Sequence, residues 1–306
     1  MVDYVIETNN LSKIYSKTKV VDSISMHVEK GKIYGLLGKN GAGKTTTMCM
    51  LLNLTYPSSG EVFLFGKNPK KNSREVYKRI GSIIETPGFY ENLTAYENLE
   101  IIARLRGDYD PFKITSVLEM VNLTDAKSKK FKDFSLGMKQ RLGIAAAIMH
   151  SPELLILDEP INGLDPFGIK EIRQLLKRLS HEFGITILIS SHILSEIENI
   201  ADVIGFMDSG VLIEEITKEE LFERRNKFVE FEVSNINSAV DILNDVGLMQ
   251  DRDFKFDGWG RIHLYTHLEL RGKLNALFVN SGIDVEKVNL CEENLEEFFT
   301  RVISNN

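Results

Sequence analysis

The chain has 306 residues, 43% of them hydrophobic and 26% charged, with a formal net charge of -7; this is enough chain for two well-buried domains, and the acidic balance argues against a nucleic-acid surface. Its two cysteines, Cys49 and Cys291, lie far apart without CxxC spacing, which excludes a disulfide framework or cysteine metal site and leaves two packing thiols. No run of about 18 apolar residues occurs, and Met1-Val2-Asp3-Tyr4 lacks the basic start of a signal peptide, so work at a membrane requires docking by a partner.

From Val2 to about Thr217, short β-rich runs alternate with helical stretches, the pattern of an α/β domain. Ile33 to Leu37, Glu61 to Phe65, Leu154 to Leu157, Ile185 to Ser190 and Val203 to Met207 read as strands. Three of these are near-continuous apolar runs, as expected of a parallel sheet covered on both faces. After the first run, Gly38-Lys39-Asn40-Gly41-Ala42-Gly43-Lys44-Thr45 fits G-x-x-x-x-G-K-[ST]. Thr46 to Leu54 then reads as a helix. Glycines let backbone N–H groups wrap phosphate oxygens closely, and the helix start adds partial positive charge. Lys44 can reach the terminal phosphates, and the Thr45 hydroxyl can ligate Mg²⁺.

Between about Gly88 and His150 the pattern is mostly helical, an α-helical insertion in the α/β core. Thr94-Ala95-Tyr96-Glu97 is a capping box for a helix that should stop near Gly107. Leu154 to Leu157 ends in Asp158-Glu159. A buried strand delivers such residues to the carboxyl edge of its sheet, where ligands bind. Asp158 can hold Mg²⁺, and Glu159 can polarise an attacking water. Asp165-Pro166 places a capping carboxylate before a proline at the first helical position.

Past about Thr217 the character changes. Phe228 to Val233, Arg261 to Tyr265 and Val285 to Leu290 read as strands, and Ser238 to Val246, Gly272 to Val279 and Leu295 to Ile303 as helices. This β-α-β-β-α-β-like order indicates a small accessory α+β domain over 218–306, behind a nucleotide-binding domain over 1–217. Asp251, Asp253 and Asp257 lie on a polar stretch and read as a solvated loop. His263 and His267 do not form a helical metal-binding pair.

Several motifs resemble the ABC transporter ATPases, and their joint order is specific. Phe134-Ser135-Leu136-Gly137-Met138-Lys139-Gln140-Arg141 is similar to that family's signature, Asn162-Gly163-Leu164-Asp165 to its D-loop, and Ser190-Ser191-His192 to its switch histidine. Tyr15 lies where the family places the aromatic that stacks on adenine. Read singly, Tyr15 and His192 fit a core aromatic and a surface histidine equally well. The resemblance implies a cassette with a mixed-sheet core and a helical subdomain, hydrolysing ATP with Mg²⁺. It implies nucleotide contacts from Tyr15, Gly38, Asn40, Gly41, Ala42, Gly43, Lys44, Thr45, Thr46, Ser135, Gly137 and Asp165. Glu159 and His192 take the catalytic places, and Thr45, Glu85 and Asp158 the metal. Ser135 can cap a helix reaching His150, presenting its hydroxyl, amides and dipole to an anion. In the family that anion is the γ-phosphate held by a second copy, which implies an ATP-sandwich homodimer related by a two-fold axis. An integral membrane permease is the other implied partner, placing the chain on the cytoplasmic face of the cell membrane.

The departures narrow the resemblance. Leu136 replaces a signature glycine, Ile161 replaces a common threonine, and Glu85 stands where the Q-loop has glutamine. Glu85, the S-L-G-M-K-Q-R signature and the stretch Glu85-Thr86-Pro87-Gly88-Phe89-Tyr90 resemble the bacitracin-resistance and lantibiotic self-protection transporters. A subunit that powers export or clearance of a peptide antibiotic is therefore expected. The alternative, a soluble ABC ATPase acting on ribosome or DNA, usually has two cassettes or long coiled coils. This chain has one phosphate loop and no sustained heptads.

Overall fold

The chain begins with a hairpin. β1 (Tyr4–Tyr15) and β2 (Thr18–Ile24) pair antiparallel around Ser16 and Lys17, whose φ values are 44° and 80°. Two positive-φ residues make a turn whose twist matches the strands it joins. β3 (His27–Glu29) and, later, β5 (Ser59–Leu64) also pair antiparallel with β1. The computed structural model describes residues 3–85, 87–257 and 259–304. Met1, Val2 and Thr86, used in the sequence reading, lie outside these.

The second sheet carries the chemistry. β4 (Ile33–Leu37) is buried along its whole length and leads through the phosphate loop into α1 (Lys44–Leu51). After β5 and α2 (Pro69–Tyr77) comes β6 (Ile80–Ile83). α3 (Ala95–Arg106), α4 (Pro111–Met120) and α5 (Leu136–Ile148) then form the helical insertion. The Thr94–Glu97 capping box is complete, and Gly107 ends α3 at φ 74°. β7 (Leu154–Leu157), α6 (Pro166–His181), β8 (Thr186–Ser191), α7 (Leu194–Ile200), β9 (Val203–Asp208) and β10 (Val211–Thr217) follow. The strand order is β10-β9-β4-β8-β7-β6, parallel except for β10. β7 and β8 are buried throughout, as a sheet covered on both faces requires.

Glu61 to Phe65, read as a strand, is one, with its ends shifted. The strand spans Ser59–Leu64, lies antiparallel in the first sheet, and its first three residues are exposed. Its half-exposed pattern suits a sheet with one wet face.

Contacts divide the chain into two units, one running through Lys218 and including the last turn from Val302, the other Glu219–Arg301. After α8 (Lys218–Arg224), the elements are β11 (Lys227–Val233), α9 (Ile236–Asp245), β12 (Phe254–Phe256), β13 (Arg261–Leu264), α10 (Arg271–Asn280), β14 (Val285–Glu292) and α11 (Leu295–Ser304). The second unit's sheet is antiparallel in the order β12-β13-β11-β14. Val229 and Phe231 pack on Leu243, Leu274 and Phe278 of its helices, and the Phe231 and Phe278 rings meet edge-on at 5.4 Å. One expectation fails here. Asp253 is 4% exposed, not solvated. Its carboxylate accepts from Met249 N–H at 2.9 Å and Thr266 Oγ1 at 2.8 Å; these bonds close the loop ahead of β12 and hold the carboxyl below its usual range.

Candidate functional site

The phosphate loop crosses from β4 to α1 at the carboxyl edge of the parallel sheet. Gly41 and Gly43 have φ of 84° and 101°, the left-handed region that favours glycine. A Cβ on Gly43 would meet the Val20 carbonyl at 2.7 Å, and one on Gly38 the Met207 carbonyl at 2.2 Å. The loop is thus fitted against β2 and β9 with no room for a side chain at Gly38 or Gly43, while at Gly41 it is the backbone conformation that favours glycine. Gly210 N–H donates to Ala42 O at 3.0 Å, so the β9–β10 turn buttresses the loop. Asn40 and Gly41 are exposed at the tip.

Lys44 is only 5% exposed. Its ammonium donates to Gly38 O at 2.8 Å and Lys39 O at 3.2 Å, and pairs with Glu159 Oε1 at 3.3 Å. Thr45, exposed at the first turn of α1, donates its hydroxyl hydrogen to Asp158 Oδ2 at 2.7 Å; Thr46 beside it is half-buried. The other oxygen of Asp158, Oδ1, accepts from Ser190 Oγ at 2.5 Å, and that hydroxyl accepts from Glu159 N–H at 2.9 Å. Glu159 Oε2 meets His192 Nδ1 at 2.5 Å. Lys44, Thr45, Asp158, Glu159 and His192 therefore share one hydrogen-bonded site built from α1, β7 and β8.

Ser190 was missed as a functional side chain. It is fully buried and links Asp158 to the Glu159 backbone. The available signal was a hydroxyl at the end of an apolar strand, two residues before His192.

Glu159 and Glu85 both have left-handed backbones, with φ of 47° and 63°. For a residue with a Cβ this costs about 1–3 kcal/mol and persists only when surroundings enforce it. Glu85 is exposed past β6. Cys49 of α1 has its thiol pushed up by burial first and then by the Asp158 and Glu85 charges. Among the described residues no three His, Cys, Asp or Glu side chains converge to hold a metal on their own. The hydroxyl and carboxylate of Thr45 and Asp158 are hard oxygen donors of the kind Mg²⁺ shares with phosphate oxygens. The residues therefore fit a metal carried by a nucleotide and do not form an all-protein cage.

Ser135 caps α5, its hydroxyl oxygen accepting from Met138 N–H at 3.3 Å. The helix ends at Ile148, two residues before His150. Ser135 is exposed, and the N–H groups of Leu136 and Gly137, at the first turn of α5, have no partner within the helix. Asp165 caps α6 by accepting from Gly168 N–H at 2.8 Å. The two turns adjoin: a Cβ on Gly163 would lie 3.3 Å from Leu136, and one on Gly137 3.9 Å from Leu164. Among the described residues no hydrogen bond joins Ser135, Gly137 or Asp165 to Lys44 or Thr45. Tyr15 stands apart too, 46% exposed at the tip of the β1–β2 hairpin.

This arrangement can bind a polyphosphate along the loop and present a carboxylate to water at its end. The chain matches the family model described as ABC transporter over residues 21–162. It is 55% identical to a bacitracin transport ATP-binding protein, BcrA, of Enterococcus faecalis, over 99% of this chain and 97% of that one. A lantibiotic transport ATP-binding protein, SrtF, of Streptococcus pyogenes is 46% identical over 68% of this chain and 89% of that one. Among solved structures, cbiO1 from Clostridium perfringens, part of an ABC transporter complex, has a TM-score of 0.66 at 28% identity, covering 72% of this chain and 92% of that one.

Proposed function

The chain belongs to the ATP-binding subunits of ABC transporters, and from that premise we propose that it powers export or clearance of a bacitracin- or lantibiotic-like peptide, giving the cell that carries it resistance or self-immunity. The observation that carries this reading is the end-to-end similarity to a bacitracin transport subunit, which includes the second unit as well as the cassette. The cassette hydrolyses ATP, and ABC cassettes work as dimers with permease subunits. Here the partners are a second copy of this chain and an integral membrane permease. Among the described residues no helix is long and apolar enough to cross a membrane, in keeping with docking at the cytoplasmic face through that permease.

The site residues take roles that follow from their chemistry. Gly38 through Thr46 bind the phosphates through backbone N–H groups, and Lys44 neutralises the terminal phosphate charge. Thr45 and Asp158, with Glu85 nearby, would hold Mg²⁺, which when bound draws charge from the phosphate oxygens. Glu159 orients the attacking water and accepts its proton, and His192 holds that carboxylate in place. Ser135 and Gly137 reach the terminal phosphate from the other copy, with Asp165 fixing the adjoining turn. Tyr15 stacks on the base.

The test is survival. A sensitive host producing this chain with its permease is challenged with bacitracin and with a lantibiotic. Wild type should protect against at least one peptide, and Lys44→Ala should protect against neither. Equal protection by the two proteins overturns the reading.

A further inference from the structure

Tyr15 is held in place by contacts that none of the roles above uses. Its hydroxyl lies 3.2 Å from Thr55 Oγ1. Thr55 follows α1, and the N–H groups of Leu54 and Thr55 both donate to Cys49 O, at 2.9 Å and 3.3 Å. The hydroxyl pair therefore ties the hairpin tip to the far end of the helix whose start cradles phosphate. Two more bonds fasten the same strand end to the same turn: Lys13 Nζ donates to Tyr56 O at 2.6 Å, and Ile14 N–H to Ser58 Oγ at 3.0 Å. The pairing of β1 with β2 shifts register between Lys13 and Ile14, so the strand is irregular just before Tyr15. The Lys13 ammonium sits 4.8 Å from the centroid of the Tyr15 ring, within cation–π range.

We propose that Thr55 is a positioning residue for nucleotide binding: its hydroxyl sets the distance and tilt of the Tyr15 ring relative to the phosphate helix, while Lys13 occupies one ring face and leaves the opposite face for the base. This rests on the reading of Tyr15 as the base platform. A stacking partner joined to the phosphate site only through a hairpin tip would sweep a range of positions. Anchoring it to α1 places base and phosphates on one rigid element, and preorganisation of that kind reduces what binding must spend on ordering.

The inference is tested by titrating ATP and inorganic tripolyphosphate, which has no base, into wild type, Thr55→Val, Thr55→Ser, Tyr15→Phe and Tyr15→Ala. Loss of one partly exposed hydrogen bond should weaken ATP binding about two- to fivefold in Thr55→Val, and by the same factor in Tyr15→Phe. The Tyr15→Phe/Thr55→Val double variant should be no weaker than either single one, because both remove the same bond. Tripolyphosphate affinity should not change, and Thr55→Ser should restore ATP affinity. Weakened ATP binding in Tyr15→Ala but not in Thr55→Val refutes the positioning role and leaves stacking intact. Equal loss for ATP and tripolyphosphate in Thr55→Val refutes it as well, since the damage would then lie in α1. Unchanged ATP affinity in Tyr15→Ala removes the stacking reading and this inference together.

Discussion

Glu159→Gln separates binding from hydrolysis, because of where its carboxylate lies. One oxygen faces Lys44 at 3.3 Å and the other faces His192 at 2.5 Å. Glutamine keeps the shape and one acceptor oxygen but cannot take a proton from water. Loss of a general base costs ~10²–10⁴-fold in turnover, which is about 2.7–5.4 kcal/mol of barrier at 1.36 kcal/mol per decade. Stripping a buried cation of its partner commonly costs about 3–5 kcal/mol of stability. Lys44 retains the Gly38 and Lys39 carbonyls, so the folding cost should fall below that range. With the competing carboxylate neutralised, Lys44 is freer to meet phosphate, and ATP should bind as tightly as in wild type or more so. The assay is steady-state phosphate release with ATP affinity and Tm measured on the same preparation. The expected outcome is turnover down at least a hundredfold, affinity maintained and Tm lowered by less than about 10 °C. Turnover within tenfold of wild type in the folded variant would refute the reasoning, and affinity weakened tenfold would refute the claim that Glu159 holds Lys44 back.

Glu85→Gln should leave ATP hydrolysis within about tenfold of wild type, since an amide oxygen is a competent Mg²⁺ ligand, yet antibiotic survival should fall further than hydrolysis does. Both readouts at wild-type level would show that the carboxylate has no special part in coupling to the permease. His150 gives a pH prediction: burial first, then the Arg106 charge, holds its imidazole below the usual histidine range, while one ring nitrogen, Nε2, lies 3.1 Å from Ile80 O. The unfolded chain therefore binds the proton more readily, so stability rises with pH through this window and is lost as pH falls below about 6.5. Tm between pH 5 and 8 should show that slope, and His150→Gln should flatten it; equal slopes would rule His150 out as the cause.

What could be read ahead of the structure was whatever local chemistry dictates. The phosphate loop, the Thr94 capping box and the Asp158-Glu159 strand end each follow from rules spanning fewer than ten residues. Non-local pairing was less legible. The half-exposed run of β5 carries the same residue types as a parallel strand, and only its partner β1 sets its direction. β6, four residues of Ile80–Ile83, is too short for periodicity to find. Asp253 looked solvated because its partners, Met249 and Thr266, meet it only in the folded domain. Ser190 escaped for a related reason: its role needs β7 and β8 side by side. The left-handed backbones of Glu85 and Glu159 carry no sequence signal, because neither residue type favours that region.

The claim that the site is completed by a second copy is tested most directly by mixing two inactive variants, Lys44→Ala and Ser135→Arg, and measuring ATP hydrolysis. Each alone has a defect in both sites of its symmetric dimer. A mixed dimer places both defects at one site and leaves the other intact. With random pairing half the dimers are mixed, so symmetry caps the recovery at about a quarter of wild-type activity. Activity well above either variant alone, rising toward that ceiling, is the expected result. A mixture no more active than the sum of its parts, with mixed dimers present, would contradict a composite ATP site in which Lys44 and Ser135 come from different copies.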